Sequence, residues 1–226
     1  HGLSRMISVA LATYNGSKYI REQLDSIVKQ TLQDFEVVIC DDCSVDDSLQ
    51  ILQEYASKDS RFKIYSNKSN LGFKKNFEHI LSLCRGDFIA FCDQDDIWEK
   101  NHLEVLYQNI GDNDCIGANS LIIDENGISQ NKTLLEYWPV HVMPQSEKEL
   151  FHHELYSNVV QGAASLIRSS LIKQGLPIPD DVKYPCLPMN VEGVPVFVKS
   201  SIGSAGIYAC GPELYLALQL GAHIVV

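Results

Sequence analysis

Long apolar runs are missing from this chain of 226 residues, and so are paired cysteines, internal repeats, low-complexity linkers and an excess of basic charge. No stretch is apolar for the ~20 residues that a bilayer-spanning helix needs, so no transmembrane segment is expected. Lysine and arginine number 18 against 29 aspartates and glutamates, a net charge of −11. That balance argues against unaided binding to nucleic acid or to anionic lipid. It leaves room for a phosphorylated substrate, because a metal ion can supply the positive charge. The seven cysteines are odd in number and scattered, and Cys40 and Cys92 fall within predicted strands. This is the pattern of reduced thiols in a cytoplasmic protein. Cys40-x-x-Cys43 is half of a zinc site, but no second pair has matching spacing, so zinc is not expected. No secretory signal is expected before the first strand, and His1–Arg5 is expected to be a cloning remnant ahead of a natural start at Met6.

What remains is ordinary globular material, 45% hydrophobic and 21% charged, with room for one large domain or one and a half. Ile7–Ala12 reads as a strand and Thr13–Gly16 as its turn. Ser17 is expected to open a helix with Ile20, Leu24, Ile27 and Val28 on one face. Phe35–Cys40 is a second strand, near-continuously apolar, as buried parallel strands are. Asp41 and Asp42 end it, and Ser44 is the expected cap of a helix bearing Leu49, Leu52, Tyr55 and Ala56. Phe62–Tyr65 is a third strand. Asn70-Leu71-Gly72 turns into a helix with Phe73, Phe77, Ile80, Leu81 and Cys84, and the strand at 87–92 follows.

Strand and helix thus alternate four times with short turns. The pattern predicts an α/β fold: a doubly wound, mainly parallel sheet covered by helices on both faces. In such sheets ligands sit beyond the carboxyl ends of the strands. Thr13-Tyr14-Asn15, Asp41-Asp42 and Asp93-Gln94-Asp95-Asp96 all fall on that rim. Three carboxylates packed after a buried strand repel one another unless they turn into solvent, cap the next helix or hold a cation. Oxygen ligands at this density suit Mg²⁺ or Mn²⁺, which bind through one or two carboxylates plus substrate phosphates.

Val9–Gly16, Val38–Ser44, Asn70–Gly72 and Asp93–Asp96, in this order and spacing, resemble the nucleotide-sugar half of family 2 glycosyltransferases with the GT-A fold. The similarity runs from about Met6 to Pro185 and is greatest to bacterial rhamnosyltransferase-like enzymes of cell-surface polysaccharide synthesis. It implies a metal-dependent, inverting transfer of a sugar from a UDP- or dTDP-sugar to a saccharide or lipid-linked acceptor. The enzyme would be cytoplasmic, at most peripheral to the inner face of the membrane. Ala12, Thr13 and Tyr14 would line the base pocket. Asp42 would accept the N3–H of uracil or thymine with support from Asp41, and Lys75 and Asn76 would approach base or ribose. Gln94 counts among the nucleotide-binding residues. Asp93 would meet the ribose or the metal's water shell, and Asp95 would ligate the cation on the diphosphate. An ionised acceptor suits a ring N–H, because charge-assisted hydrogen bonds are the stronger ones.

Competing readings stand beside these. Asp41 and Asp42 fit the start of the next helix, and Lys75 fits a solvated helix charge. Trp98 fits either an acceptor site or packing behind the acidic turn. His152-His153 fits an exposed pair better than a metal site, and Gly162-Ala163-Ala164 fits a strand under the donor sugar or simple close packing. Four segments are expected: 1–5 as remnant, 6–115 for the nucleotide-sugar, 116–185 on the acceptor side, and an atypical 186–226. Strands are expected at 118–123, at 157–167 and at 194–198, with a helix opening at Pro212. The family's His-Asp-Trp-Trp type motif, which supplies the general base, is absent after Tyr184-Pro185. Fusion, rearrangement or truncation near 186 is the expected cause. Asp181 is the candidate base, with Asp180, Glu192 and Glu213 as rivals. The alternative function is a degenerate transferase that binds nucleotide and metal without turnover.

Overall fold

The computed structural model describes residues 6–112, 115–118, 120–123, 127–133, 162–170, 172, 176, 188–191 and 194–197. The first half carries the expected alternation: β1 (Ile7–Thr13), α1 (Ile20–Val28), β2 (Phe35–Asp41), α2 (Ser48–Lys58), β3 (Phe62–Ser66), α3 (Gly72–Leu83), β4 (Phe88–Cys92) and α4 (His102–Ile110). Short strands follow as β5 (Cys115–Gly117), β6 (Leu121–Ile123) and β7 (Ser129–Thr133). A 3-10 turn at Gly162–Ala164 then leads into β8 (Ser165–Arg168), and β9 (Pro188–Val191) pairs with β10 (Val194–Phe197).

The main sheet has the order β3-β2-β1-β4-β8-β5. β1, β2, β3 and β4 are mutually parallel, and β8 is inserted antiparallel between β4 and β5. The sheet is therefore mixed and mainly parallel. From β1 the chain steps outward to β2 and β3, then returns past both to pair β4 with the other edge of β1. A right-handed crossover reverses its face when its direction along the sheet reverses. Ile7, Val9 and Leu11 of β1 accordingly share one core with Leu24 and Ile27 of α1 and Leu52 of α2, and Leu103 and Leu106 of α4 join the same core. α3 covers the opposite face, where Phe77 meets Phe91 with ring centroids 5.9 Å apart. No helix among the described residues is long and apolar enough to cross a membrane.

Two helices start later than expected. α1 begins at Ile20, after a turn in which the Tyr19 and Ile20 amides both donate to the Gly16 carbonyl at 3.0 Å and the Ser17 amide donates to Asp46 Oδ2 at 3.0 Å. α2 begins at Ser48, because Ser44 is drawn to Asp41 and Asn15 instead of capping it. Of the strand expected across 118–123, only β6 is strand among the described residues, with β5 lying just before it, and the one expected at 157–167 is, where described, a 3-10 turn followed by β8. β10 falls within the strand expected at 194–198, whereas β9 has no counterpart in the sequence reading. The helix expected from Pro212 lies outside the described residues.

His102, the first residue of α4, is fully buried, and neither of its ring nitrogens has a hydrogen-bond partner among the described residues. Its ring stacks on Trp98 at 4.4 Å, and burial pulls its pKa down to about 3.

Candidate functional site at the switch point of the sheet

From β1 the strand order runs to β2 on one side and to β4 on the other, and such a switch point opens a crevice at the carboxyl edge. The crevice here has a volume of about 450 Å³. Of the residues expected at the site, Ala12, Thr13, Tyr14, Asp42, Asn76, Asp93, Gln94 and Asp95 all line it. Asn70, Gly72 and Phe73 complete its wall.

Asp42 is nearly fully buried and braces the start of α3. Its Oδ1 accepts from Asn67 Nδ2 and from the Leu71 amide, each at 2.8 Å, and its Oδ2 accepts from the Gly72 amide at 2.9 Å. Oδ2 thus keeps lone-pair capacity toward the crevice. Asp41 lies behind the lining, where it accepts from the Ser44 amide at 2.9 Å and the Ser44 hydroxyl at 2.5 Å. The pair does not cap α2, so that alternative is settled: Asp42 holds α3 and Asp41 holds the turn that carries Asp42.

Behind Asp42 runs a buried polar network. Asn67 Nδ2 also donates to Asn76 Oδ1 at 2.9 Å, and Asn76 Nδ2 donates to the Cys40 carbonyl at 3.0 Å. Asn67 Oδ1 lies 3.0 Å from His79 Nδ1 and accepts from the Cys40 thiol at 3.3 Å. Burial, reinforced by Asp42 and Asp41, pushes that thiol up to about 11. Asn76 therefore lines the crevice while its amide is engaged in the frame. Lys75 is not part of the lining, and its ammonium pairs with Glu78 at 2.9 Å along α3.

Phe73 reads from periodicity as an inner-face residue, yet it is 40% exposed and forms a crevice wall stacked on Phe77 at 4.7 Å. The helical period places it one turn before Phe77, but only the position of α3 over the rim reveals its open face. Gly72 has φ of +77° with nothing near an added Cβ, so backbone conformation alone requires glycine there. Asn67 and His79 carry no motif, and the sequence reading does not include them.

The rim itself is cross-braced. The Asn15 amide donates to Ser44 Oγ at 2.9 Å, and Asn15 Oδ1 accepts from the Val45 amide at 2.9 Å. The Gly16 amide donates to Ser48 Oγ at 2.8 Å. Ser48 Oγ in turn donates to Asp46 Oδ1 at 2.6 Å.

In the acidic turn, Asp95 is exposed while Asp93 and Asp96 are half-buried. Burial, with the neighbouring Asp96 and Asp95, raises Asp93 well above the ordinary carboxylate range. Burial and Asp95 push Asp96 up to about 7. Neither serves α4, whose cap position is Asn101 with no side-chain cap. Carboxylates gathered this closely are what a divalent cation relieves, and the donors are hard oxygens at the crevice. The residues present thus fit Mg²⁺ or Mn²⁺ held by Asp95 and Asp93. The described residues contain no group of three or more ligands, so phosphate and water would complete the shell.

A second hollow of about 240 Å³ lies beyond Asp95, between Tyr19 and Glu22 of the α1 start, Asp96, Ile97 and Ile123. Trp98 is buried behind the turn and donates through Nε1 to the Ala163 carbonyl at 3.3 Å, which decides for packing over an acceptor role. Ala163 and Ala164 are buried in close packing. Asp181, Asp180, Glu192, Glu213 and His152-His153 lie outside the described residues.

A profile of Glycosyl transferase family 2 matches residues 8–175. An uncharacterized glycosyltransferase of Haemophilus influenzae is 30% identical over 190 residues, covering 79% of this chain and 58% of that protein. A cholesterol galactosyltransferase of Borreliella burgdorferi is 33% identical over 152 residues, covering 67% of this chain and 42% of that one. The chain thus spans about half the length of the curated relatives it matches. Among solved structures, S. aureus TarS 1-349 in complex with UDP superposes with a TM-score of 0.55 at 28% identity, covering 80% of this chain and 50% of TarS 1-349. A Pyrobaculum calidifontis mannosyltransferase, at 15% identity and a TM-score of 0.56, shares the fold.

Proposed function

Because the chain belongs to glycosyl transferase family 2, we propose that it moves a sugar from a UDP- or dTDP-sugar to a saccharide or lipid-linked acceptor, with inversion at the anomeric carbon. The observation that carries this reading is the convergence of Thr13-Tyr14, Asp42 and Asp93–Asp95 on one crevice at the switch point of the sheet. Tyr14 and Phe73 present aromatic faces for a pyrimidine. Asp42 Oδ2 offers a carboxyl acceptor to a ring N3–H, which uracil and thymine have and cytosine lacks. Asp95 and Asp93 would hold a divalent cation, which when bound would supply Lewis-acid stabilisation to the departing diphosphate. The hollow beyond Asp95 offers carboxylates and the Tyr19 hydroxyl to sugar hydroxyls while its negative charge turns anions away.

The acceptor oxygen bonds to the anomeric carbon as the bond from that carbon to the diphosphate oxygen breaks. A general base takes the acceptor's proton, and Asp181 is the proposed base. Bacterial cell-surface polysaccharide is the proposed destination, hexosyl or rhamnosyl transfer the proposed chemistry, and the cytoplasmic side of the membrane the proposed location. UDP binding to TarS and the polysaccharide and lipid products of relatives support the donor and acceptor classes.

Calorimetric titration of UDP and dTDP with and without Mn²⁺ tests the reading. Metal-dependent binding that Asp95→Ala abolishes is expected, and no binding of either nucleotide refutes it. Turnover of UDP- or dTDP-sugars, followed by release of the diphosphate, separates a transferase from a chain that only binds.

A further inference from the structure

Gln94 stands between Asp93 and Asp95 in the acidic turn, yet its side chain reaches across to β1. Oε1 accepts from Thr13 Oγ1 at 2.8 Å and from the Tyr14 amide at 3.0 Å, and Nε2 donates to the Tyr14 carbonyl at 3.3 Å. The β1–β4 ladder ends at Leu11 opposite Cys92. Beyond that pair the two strand ends separate into different loops, and the Gln94 amide continues the connection the ladder drops. Gly16 makes room for it, since a Cβ there would lie 2.3 Å from Gln94 Oε1 and 3.1 Å from Thr13 Oγ1. Three hydrogen bonds hold Oε1 and Nε2 in place, so the amide cannot swing aside without losing them.

We propose that Gln94 is a positioning residue that couples the two halves of the crevice, so that a divalent cation on the acidic turn and a nucleoside against Thr13-Tyr14 favour each other's binding without touching. The inference rests on the nucleotide-sugar reading above and goes beyond it. The backbone of Gln94 lies between the two carboxylates that would hold the cation. Ordering that turn orders the base of the Gln94 side chain, and the amide passes the constraint to the Tyr14 backbone. Tyr14 is 48% exposed, so little besides this amide and the Asn15 and Gly16 braces fixes the wall it forms. Coupling of this kind is reciprocal, so the nucleoside tightens the cation by the same factor. A residue that merely holds β1 to β4 would lower stability on removal but leave that factor unchanged.

The test is calorimetry with uridine, which has no phosphate to share with a metal, titrated into the protein with and without saturating Mn²⁺; UDP is titrated first. In the wild type the uridine Kd is expected to tighten by roughly five- to tenfold when Mn²⁺ is present. In Gln94→Leu, and equally in Gly16→Ala, which displaces the amide without altering it, the ratio is expected to fall to about one. Thr13→Val removes one of the three bonds and should give an intermediate ratio, and it serves if either other variant fails to fold. A wild-type ratio of one overturns the proposal, as does a wild-type-like ratio in all folded variants. Failure of the wild type to bind UDP with Mn²⁺ refutes the underlying nucleotide reading and the coupling with it. Bound UDP with unchanged coupling in the variants refutes the coupling alone.

Discussion

Between pH 7 and pH 5 one side chain, His102, should work against the folded state. Its folded-state pKa is about 3, because the ring is fully buried against Trp98, with no partner for either nitrogen among the described residues. In the unfolded chain the imidazole titrates near its ordinary value of about 6.5. The unfolded state therefore binds the proton that the folded state refuses. The contribution to stability is whole above pH ~6.5 and is lost as pH falls from there toward 3. One pKa unit is worth about 1.4 kcal/mol, so lowering the pH from 7 to 5 costs about 2 kcal/mol through this group, and about 3 kcal/mol by pH 4. The figure at pH 5 barely depends on whether the folded value is 3 or 4. Asp96 titrates in the opposite sense and by a comparable amount over the same window, and Asp93 acts in the same direction as Asp96, because a raised pKa makes the folded state the better proton binder. The wild-type pH slope is thus a sum, and the diagnostic quantity is a difference. Urea unfolding of the wild type and of His102→Phe at pH 7 and pH 5 isolates it, since Phe keeps the stack on Trp98 and removes the titration. The wild type should lose about 2 kcal/mol more than the variant between the two pH values. Equal losses, within about 0.5 kcal/mol, would refute the reasoning.

Further outcomes follow from other parts of the rim. Asp42→Asn replaces an acceptor of three N–H groups with one that must turn a donor toward some of them, and should cost about 2–3 kcal/mol of stability in denaturant titrations, with weakened uridine binding. Gly72→Ala meets no atom but must hold φ of +77°, so urea unfolding should show a loss of about 1–2 kcal/mol with no change in m-value. Burial works to raise Asp46, but hydrogen bonds from Ser48 and Ser17 outweigh it and hold the carboxyl at about 2. Its contribution, about 1 kcal/mol after allowance for partial exposure, is present above pH ~4 and fades as pH falls toward 2. Asp46→Asn should therefore lower stability at pH 7 and have little effect at pH 2, as read by thermal melts.

The parallel half of the sheet was legible because β1, β2 and β4 are near-continuous apolar runs, and because their polar residues appear only where each strand meets the rim. Thr13, Asp42 and Asp93 stood out for that reason. β8 was harder to read, since a single buried run does not disclose its direction, and nothing in Ser165–Arg168 announces that it enters the sheet antiparallel. The helix starts were misplaced because Ser17 and Ser44 are good local caps whose groups are claimed by Asp46, Asp41 and Asn15. His79 and Asn67 were invisible, because their value lies in meeting Cys40 and Asp42 across the fold.

The cross-braces between the β1–α1 and β2–α2 loops carry a further consequence. Asn15, Gly16, Ser17, Ser44, Asp46 and Ser48 belong to loops or helix ends, and their mutual bonds exist only while β1 lies beside β2. The crevice wall they support has no separate melting transition available to it. A probe of the site, such as protection of the Asn15 and Gly16 amides from hydrogen exchange, should disappear in the same cooperative step as the sheet.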